Sequence, residues 1–511
     1  MTDSTFPGIE ESFTSPSGRY RTETDSLGEV KIPAEAYWGV NTARAVVNFP
    51  ISRRQISVYP DLVVAYAQVK QAAARANRDI GVLEPEKAEL IDRACQDIID
   101  GQLHEQFVVG VIQGGAGTST NMNVNEVIAN RALEIAGHER GNYSVLSPND
   151  DVNRSQSTND TYPSALKIAL VHSIDRLVEE FELLQRAFAL KGKEFRRVLK
   201  MGRTQLQDAV PMTLGQEFNG YATTISEDID RLRDVRTILF ELNLGATAIG
   251  TGINADPRYA PAVIEHLRQI TGFPELSTAH DLIEATSDTG VFMSMSGTMK
   301  RAAMKLSKIC NDLRLLSSGP QAGLGEIRLP AVQAGSSIMP GKVNPVIPEA
   351  VSQVAFVIAG ADVTISMASE AGQLQLNAFE PVIAHTLMQN STWLRRAART
   401  LRVNCIDGIQ ANEEKLKQTV ESSVGLVTAL TPFIGYTESS KLAKDALSTN
   451  RPIIDLVVER GLLSREEVQS ILEPERLSGT LPETSAIPTI SPEELQSMIG
   501  RLDAHDRLDN S

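Results

Sequence analysis

Cysteine, tryptophan and histidine are scarce in this chain of 511 residues, which has 3 Cys, 2 Trp and 7 His. Cys95, Cys310 and Cys405 are odd in number and far apart. They therefore form neither a disulfide framework nor a metal-ligand cluster, and they read as reduced core thiols. Positive charge is in deficit, with 49 Lys plus Arg against 64 Asp plus Glu and a formal net charge of −15. That balance argues against nucleic acid or an anionic membrane as a partner. The chain has no uninterrupted apolar run of about 18 residues, the length that would cross a bilayer. The segment Met1 to Gly18 is polar and acidic, with no charged-then-apolar leader pattern, so a cytoplasmic location is expected.

What the chain does have is enough apolar material for a large core, 42% hydrophobic residues against 22% charged. Apolar residues recur at helical spacing over 61–76 and 84–99, and a third helix is expected from Asn125 to just before Gly137. The middle of the chain runs in much longer periods. Leu166, Leu170, Ile174, Leu177, Phe181, Leu184 and Phe188 form one seam, and Phe292, Met295, Met299, Ala302, Leu306, Ile309, Leu313 and Leu316 form another. Residues 213–241, 346–370 and 377–402 share this character, so five long helices are expected in one bundle. Val171 and Val178 lie off the first seam, and such second apolar faces point to packing between subunits. The resulting division is a tail over 1–22, an N-terminal helical domain over 23–155, the bundle over 156–408, a small helical domain over 409–463 and a divergent tail over 464–511.

Four loops ahead of helices are dense in Gly, Ser, Thr and Asn. They are Gly114 to Asn121, Asn153 to Asp160, Gly202 to Asp208, and Gly335 to Pro345 with the sequence GSSIMPGKVNP. Hydroxyl and amide donors in front of helix N-termini make a cradle for carboxylates, because the first N–H groups of a helix are free and carry partial positive charge. Ser, Thr and Asn at such positions are also the ordinary helix caps. The Gly114 loop has no Gly-Lys-Ser/Thr ending, so it does not read as a nucleotide loop. None of the histidines lies in the four loops, and neither a zinc site nor a Ser-His-Asp triad has support.

The run Gly335 to Pro345 resembles the signature loop of the aspartase and fumarase superfamily. MGRTQLQDAVPMTLGQEF from Met201, NLGATAIGTG from Asn243, DLIEATSD from Asp281 and KICNDLRLLSSGP from Lys308 are similar to the aspartase branch. The resemblance implies a mainly α, three-domain lyase in which five long helices per chain build a twenty-helix core in a homotetramer, with each active site shared between subunits. It implies a small dicarboxylate substrate and no required organic cofactor, with activation by a divalent cation such as Mg frequent in the family.

Carried over by position, Ser336 matches the catalytic base. Lys342 and Asn344 match groups on the α-carboxylate, and Thr118, Ser157, Thr158 and Ser337 match hydroxyls around the other carboxylate. Asn159 and Thr204 match residues near the leaving group, and Arg44 an arginine placed near the site. Gln205 stands where fumarases and some aspartases carry a histidine charged by a Glu matching Glu349, a Gln here being typical of one aspartase branch, and Asn41 stands where most aspartases have a histidine. The expected reaction is reversible loss of ammonia from a 2-amino dicarboxylate through a carbanion, with hydration of fumarate, or elimination from another substituted succinate, as alternatives.

Overall fold

The computed structural model describes residues 13–335, 337–477 and 490–508. It opens on an antiparallel hairpin, β1 (Tyr20–Asp25) and β2 (Gly28–Pro33). Four helices follow: α1 (Val40–Asn48), α2 (Pro60–Asp79), α3 (Pro85–Ile99) and α4 (Thr118–Ile135). Helix α4 starts seven residues before the Asn125 expected from apolar periodicity. The reason is that its early buried positions are polar: Thr120, Asn121, Asn123, Asn125 and Glu126 all point inward and are invisible to a hydrophobic pattern.

The bundle begins with α5 (Thr158–Glu194), whose 37 residues reach about 55 Å at 1.5 Å per residue. A second hairpin, β3 (Leu199–Thr204) and β4 (Gln207–Thr213), turns the chain into α6 (Leu214–Ile238). Helix α6 starts at the far end of α5, where Leu214 N–H donates to the Val198 carbonyl at 2.8 Å, and returns until Arg236 meets Asp175. Two short helices, α7 (Tyr259–Thr271) and α8 (Leu282–Ser287), precede α9 (Gly290–Leu316). Helix α9 runs down beside α6, placing Tyr221 Oη 3.2 Å from Asp312, and α10 (Val346–Glu370) runs back up, with the Ser296 hydroxyl 2.7 Å from Asp362. Helix α11 (Glu380–Asn404) descends along α5, pairing Ser391 with Ser173 and Arg402 with Glu180. The five long helices therefore alternate in direction and share one apolar core.

The off-seam residues of α5 correct one expectation. Val171 and Val178 are buried, and they are buried within their own chain, because α5 packs against α2, α6 and α11. The face left open lies on α10, where Phe356, Val357, Val363 and Met367 are exposed. Helix α10 is long and apolar enough to cross a membrane by length and composition, but it packs along α9 and α11.

A second, smaller core forms from α12 (Glu413–Ser422), α13 (Leu426–Ile434), α14 (Tyr436–Thr449), α15 (Ile453–Glu459) and α16 (Arg465–Ile471). This unit sits on the β3–β4 hairpin. Within the segment read as a tail, α17 (Pro474–Leu477) is followed by α18 (Pro492–Leu508). Met498 and Leu502 of α18 pack on Leu183 of α5, and Asp506 pairs with Arg395 at 2.7 Å.

Candidate active site

The first two loops meet at one end of the bundle. Gly117, the residue before α4, has φ +90, a conformation that side chains disfavour, and a Cβ there would overlap the Tyr162 ring in the first turns of α5. The starts of α4 and α5 are thereby pressed together. Thr118 is the first residue of α4; its hydroxyl donates to the Gly115 carbonyl at 2.8 Å and its side chain is exposed. Ser157 caps α5, its oxygen accepting from Asn159 N–H at 3.2 Å, while Asp160 accepts from Ser157 N–H at 3.0 Å. Thr158 is buried at the first position of that helix.

Pro163 of α5 has no N–H to give the Asn159 carbonyl. That carbonyl accepts instead from Asn243 Nδ2 at 3.0 Å, and Asn159 Nδ2 donates to the Ala248 carbonyl at 2.7 Å. The 243–252 segment is anchored to the start of α5 in this way. Asp160 completes the anchor by accepting from Gly245 and Thr247 N–H. Burial pushes its carboxyl up to about 7, against the pull of these backbone donors and of Lys70.

Lys70, which sequence reasoning passed over as one more position of α2, stands behind both loops. Its side chain is buried, and its ammonium donates to Asn121 Oδ1 at 2.7 Å, Asn153 Oδ1 at 3.0 Å and Gln156 Oε1 at 2.9 Å. The only signal in the sequence is a lone Lys in the otherwise uncharged stretch VVAYAQVKQAAA. Arg44 lies apart on α1, paired twice with Asp25 at 2.7 Å and bonded to the Gly28 carbonyl. That guanidinium holds the Asp25 carboxyl below its ordinary range. Asn41, also on α1, donates to Glu126, a buried carboxylate of α4 that serves as the N-terminal partner of α1.

The other two loops lie at the opposite end. Thr204 and Gln207 close the β3–β4 turn across Gln205 and Leu206, which take φ of 55 and 64. Two consecutive non-glycine residues in the left-handed region carry backbone strain, a feature that clusters at functional sites. Gln205 is exposed at the tip. Beneath it, buried Lys200 bridges Glu217 at 2.7 Å and Glu326 at 2.9 Å, and Arg203 pairs with Glu326.

The loop over 335–345 is closed by Gly335 N–H donating to the Lys342 carbonyl at 3.0 Å and by Asn344 Nδ2 donating to the Gly335 carbonyl. Ser337 and Lys342 are exposed on it, as are Ile338 and Met339. Ser336 lies outside the described residues. Glu349, in the first turn of α10, is 3.9 Å from Arg314.

One chain thus brings together Thr118, Ser157, Thr158 and Asn159 at one end, while the turn that carries Thr204 and Gln205 and the loop that carries Ser337, Lys342 and Asn344 both lie toward the other. The length of α5, about 55 Å, separates the two groups. Among the described residues no cluster of three or more His, Cys, Asp or Glu is placed to hold a metal ion.

Comparison with known proteins places this architecture. A family described as Lyase matches residues 28–360, and one described as Fumarase C C-terminus matches residues 426–479. An aspartate ammonia-lyase of Pseudomonas canavaninivorans is 57% identical over 464 residues, covering 91% of this chain and 98% of that protein. A crystal structure of a fumarate lyase/delta crystallin from Brucella melitensis bound to cobalt superposes with TM-score 0.88 at 53% identity, covering 90% of this chain and all of that one. A class II fumarase from Schistosoma mansoni gives TM-score 0.83 at 35% identity, with 89% of this chain and 98% of that one covered. The chain belongs to this lyase family, within the fumarase and aspartase superfamily.

Proposed function

We infer that this chain is an aspartate ammonia-lyase, which eliminates ammonia reversibly from L-aspartate to give fumarate. The observation that carries the reading is identity of 57% along nearly the whole chain to an aspartate ammonia-lyase, against 35% to a class II fumarase. Gln205, in place of the fumarase histidine, agrees with it.

The chemistry explains why such residues are gathered. Ser336 removes a proton from the carbon next to the β-carboxylate, and the C–H electron pair moves into that carboxylate, which becomes a dianion. The pair then forms the C=C bond as the C–N bond breaks and ammonia departs. Most of the barrier is electrostatic, and each preorganised donor aimed at the growing charge contributes about 3 to 4 kcal/mol. Thr118, Ser157, Thr158 and Ser337 are such donors, and the paired N-termini of α4 and α5 add partial positive charge. Lys342 and Asn344 hold the α-carboxylate, with Asn159, Thr204 and Gln205 near the amino group and Arg44 at the periphery. A serine is a weak base in water, so Ser336 relies on Lys342 and loop N–H groups to favour its alkoxide.

Because the two halves of this set lie at opposite ends of one bundle, a complete site requires other copies of the chain. The exposed apolar stripe of α10 is the surface along which they would pack, which supports a homotetramer with shared sites. A cytoplasmic location accords with this reading. Activation by a divalent cation such as Mg would be read as a rate that rises with added cation and falls with chelator.

The test is spectrophotometric. Purified protein given L-aspartate should produce the ultraviolet absorbance of fumarate, and Ser336→Ala should lose several orders of magnitude in turnover while still binding succinate. Malate formation from fumarate without ammonium would favour the hydratase instead. Undiminished turnover in the variant would remove Ser336 from its role.

A further inference from the structure

The ammonium of Lys70 is enclosed with three acceptors and three hydrogens to give them. Its partners come from different segments: Asn121 is on α4, three residues beyond Thr118, Asn153 is in the loop before α5, and Gln156 immediately precedes Ser157. Asn153 Oδ1 also accepts from Asn121 Nδ2 and Asn125 Nδ2, both at 3.1 Å. Thr161 ties the same cluster to α5, its hydroxyl reaching Asn121 Oδ1 at 3.2 Å and the Ser157 carbonyl at 2.9 Å. A neutral amine would bring a lone pair and only two hydrogens to three carbonyl oxygens, so this arrangement suits the charged form. Burial works the other way, pushing Lys70 down to about 7. The nearby Asp160 carboxyl pulls against this, and the three amide oxygens give the ammonium's hydrogens their partners at this depth.

We propose that Lys70 is a positioning residue for the dicarboxylate pocket: by drawing Asn121, Asn153 and Gln156 onto one buried ammonium, it sets the Thr118 hydroxyl against those of Ser157 and Thr158. The proposal rests on the reading of those hydroxyls as carboxylate donors. Lys70 itself is walled off behind the loops and touches no substrate; its effect passes through the two helix starts. Removing it takes a donor from each of three amide oxygens, and with it the ammonium that ties α4 to the loop before α5, which moves the loops apart rather than merely loosening the fold.

The measurements are made on the intact enzyme with L-aspartate as substrate and succinate as an unreactive probe. Lys70→Met should raise both the KM for L-aspartate and the inhibition constant of succinate at least tenfold. A purely structural role would lower the active fraction, and hence kcat, with both constants unmoved, and that result overturns the proposal. Gln156→Met, which removes one acceptor of the ammonium together with the Nε2 donor to the Val152 and Arg154 carbonyls, should raise the succinate constant about threefold. It decides the matter if Lys70→Met fails to fold, and an unchanged constant counts against the proposal. Ser157→Ala and Thr158→Ala separate the two levels of inference. If they weaken succinate binding while the Lys70 and Gln156 variants do not, the positioning role fails alone. If they too leave it unchanged, the pocket reading fails with it.

Discussion

At the residue scale, burying a titratable group changes both what it does and what it costs. Glu380, the first residue of α11, is 3% exposed, and burial pushes its carboxyl up to about 8 despite the attraction of Lys167. In the unfolded chain it titrates near about 4.3. Between those values the folded protein holds a proton that the unfolded chain has lost, so this group's contribution to stability falls as pH rises from about 4 to about 8. Glu380→Gln, neutral throughout, should match the parent near pH 5 and exceed its thermal midpoint by several degrees at pH 8. Scanning calorimetry across that range checks it, and parallel curves would refute it. Such residues explain part of what the sequence conceals. Asp160 and Glu380 look like ordinary surface charges in the linear text, and only the uncharged neighbours of Lys70 hint that it lies inside.

At the element scale, the hairpin of β3 and β4 is held by the small C-terminal unit. Ser423 donates to Asp208 at 2.7 Å, and Gly425, just before α13, sits so close that an added Cβ would come within 2.6 Å of the Ala209 carbonyl. Gly425→Ala must therefore push the hairpin or the unit aside. The expected cost is about 1 to 3 kcal/mol, typical of overpacking. Because Thr204 and Gln205 ride at the hairpin tip, turnover should fall more than stability. Denaturant unfolding together with the fumarate assay would check this, and full activity in a destabilised variant would mean that the hairpin does not carry part of the site. Long helices such as α10 were legible because period and length reinforce one another over 25 residues. The start of α4 was not, since its inward positions hydrogen-bond rather than pack.

At the scale of the whole molecule, the division of the candidate site between two ends of α5 has a direct consequence. A mixture of Ser157→Ala and Ser336→Ala chains, dissociated and reassociated, should regain a substantial fraction of turnover that neither variant has alone, because some sites then draw each end from an intact copy. No recovery would show that one chain supplies both ends. Val363→Glu on the exposed face of α10 should likewise lower the sedimentation coefficient and abolish activity together. The sequence by itself determined the helical class, the five long bundle helices and the identity of the donor-rich loops, because periodicity and residue chemistry are local properties. Tertiary structure alone decided which loops meet, that Val171 and Val178 are covered by their own chain, and that a buried lysine joins two helix starts. Those outcomes depend on the direction in which each helix runs and on what lies across from it, and a linear pattern of residues does not encode either one locally.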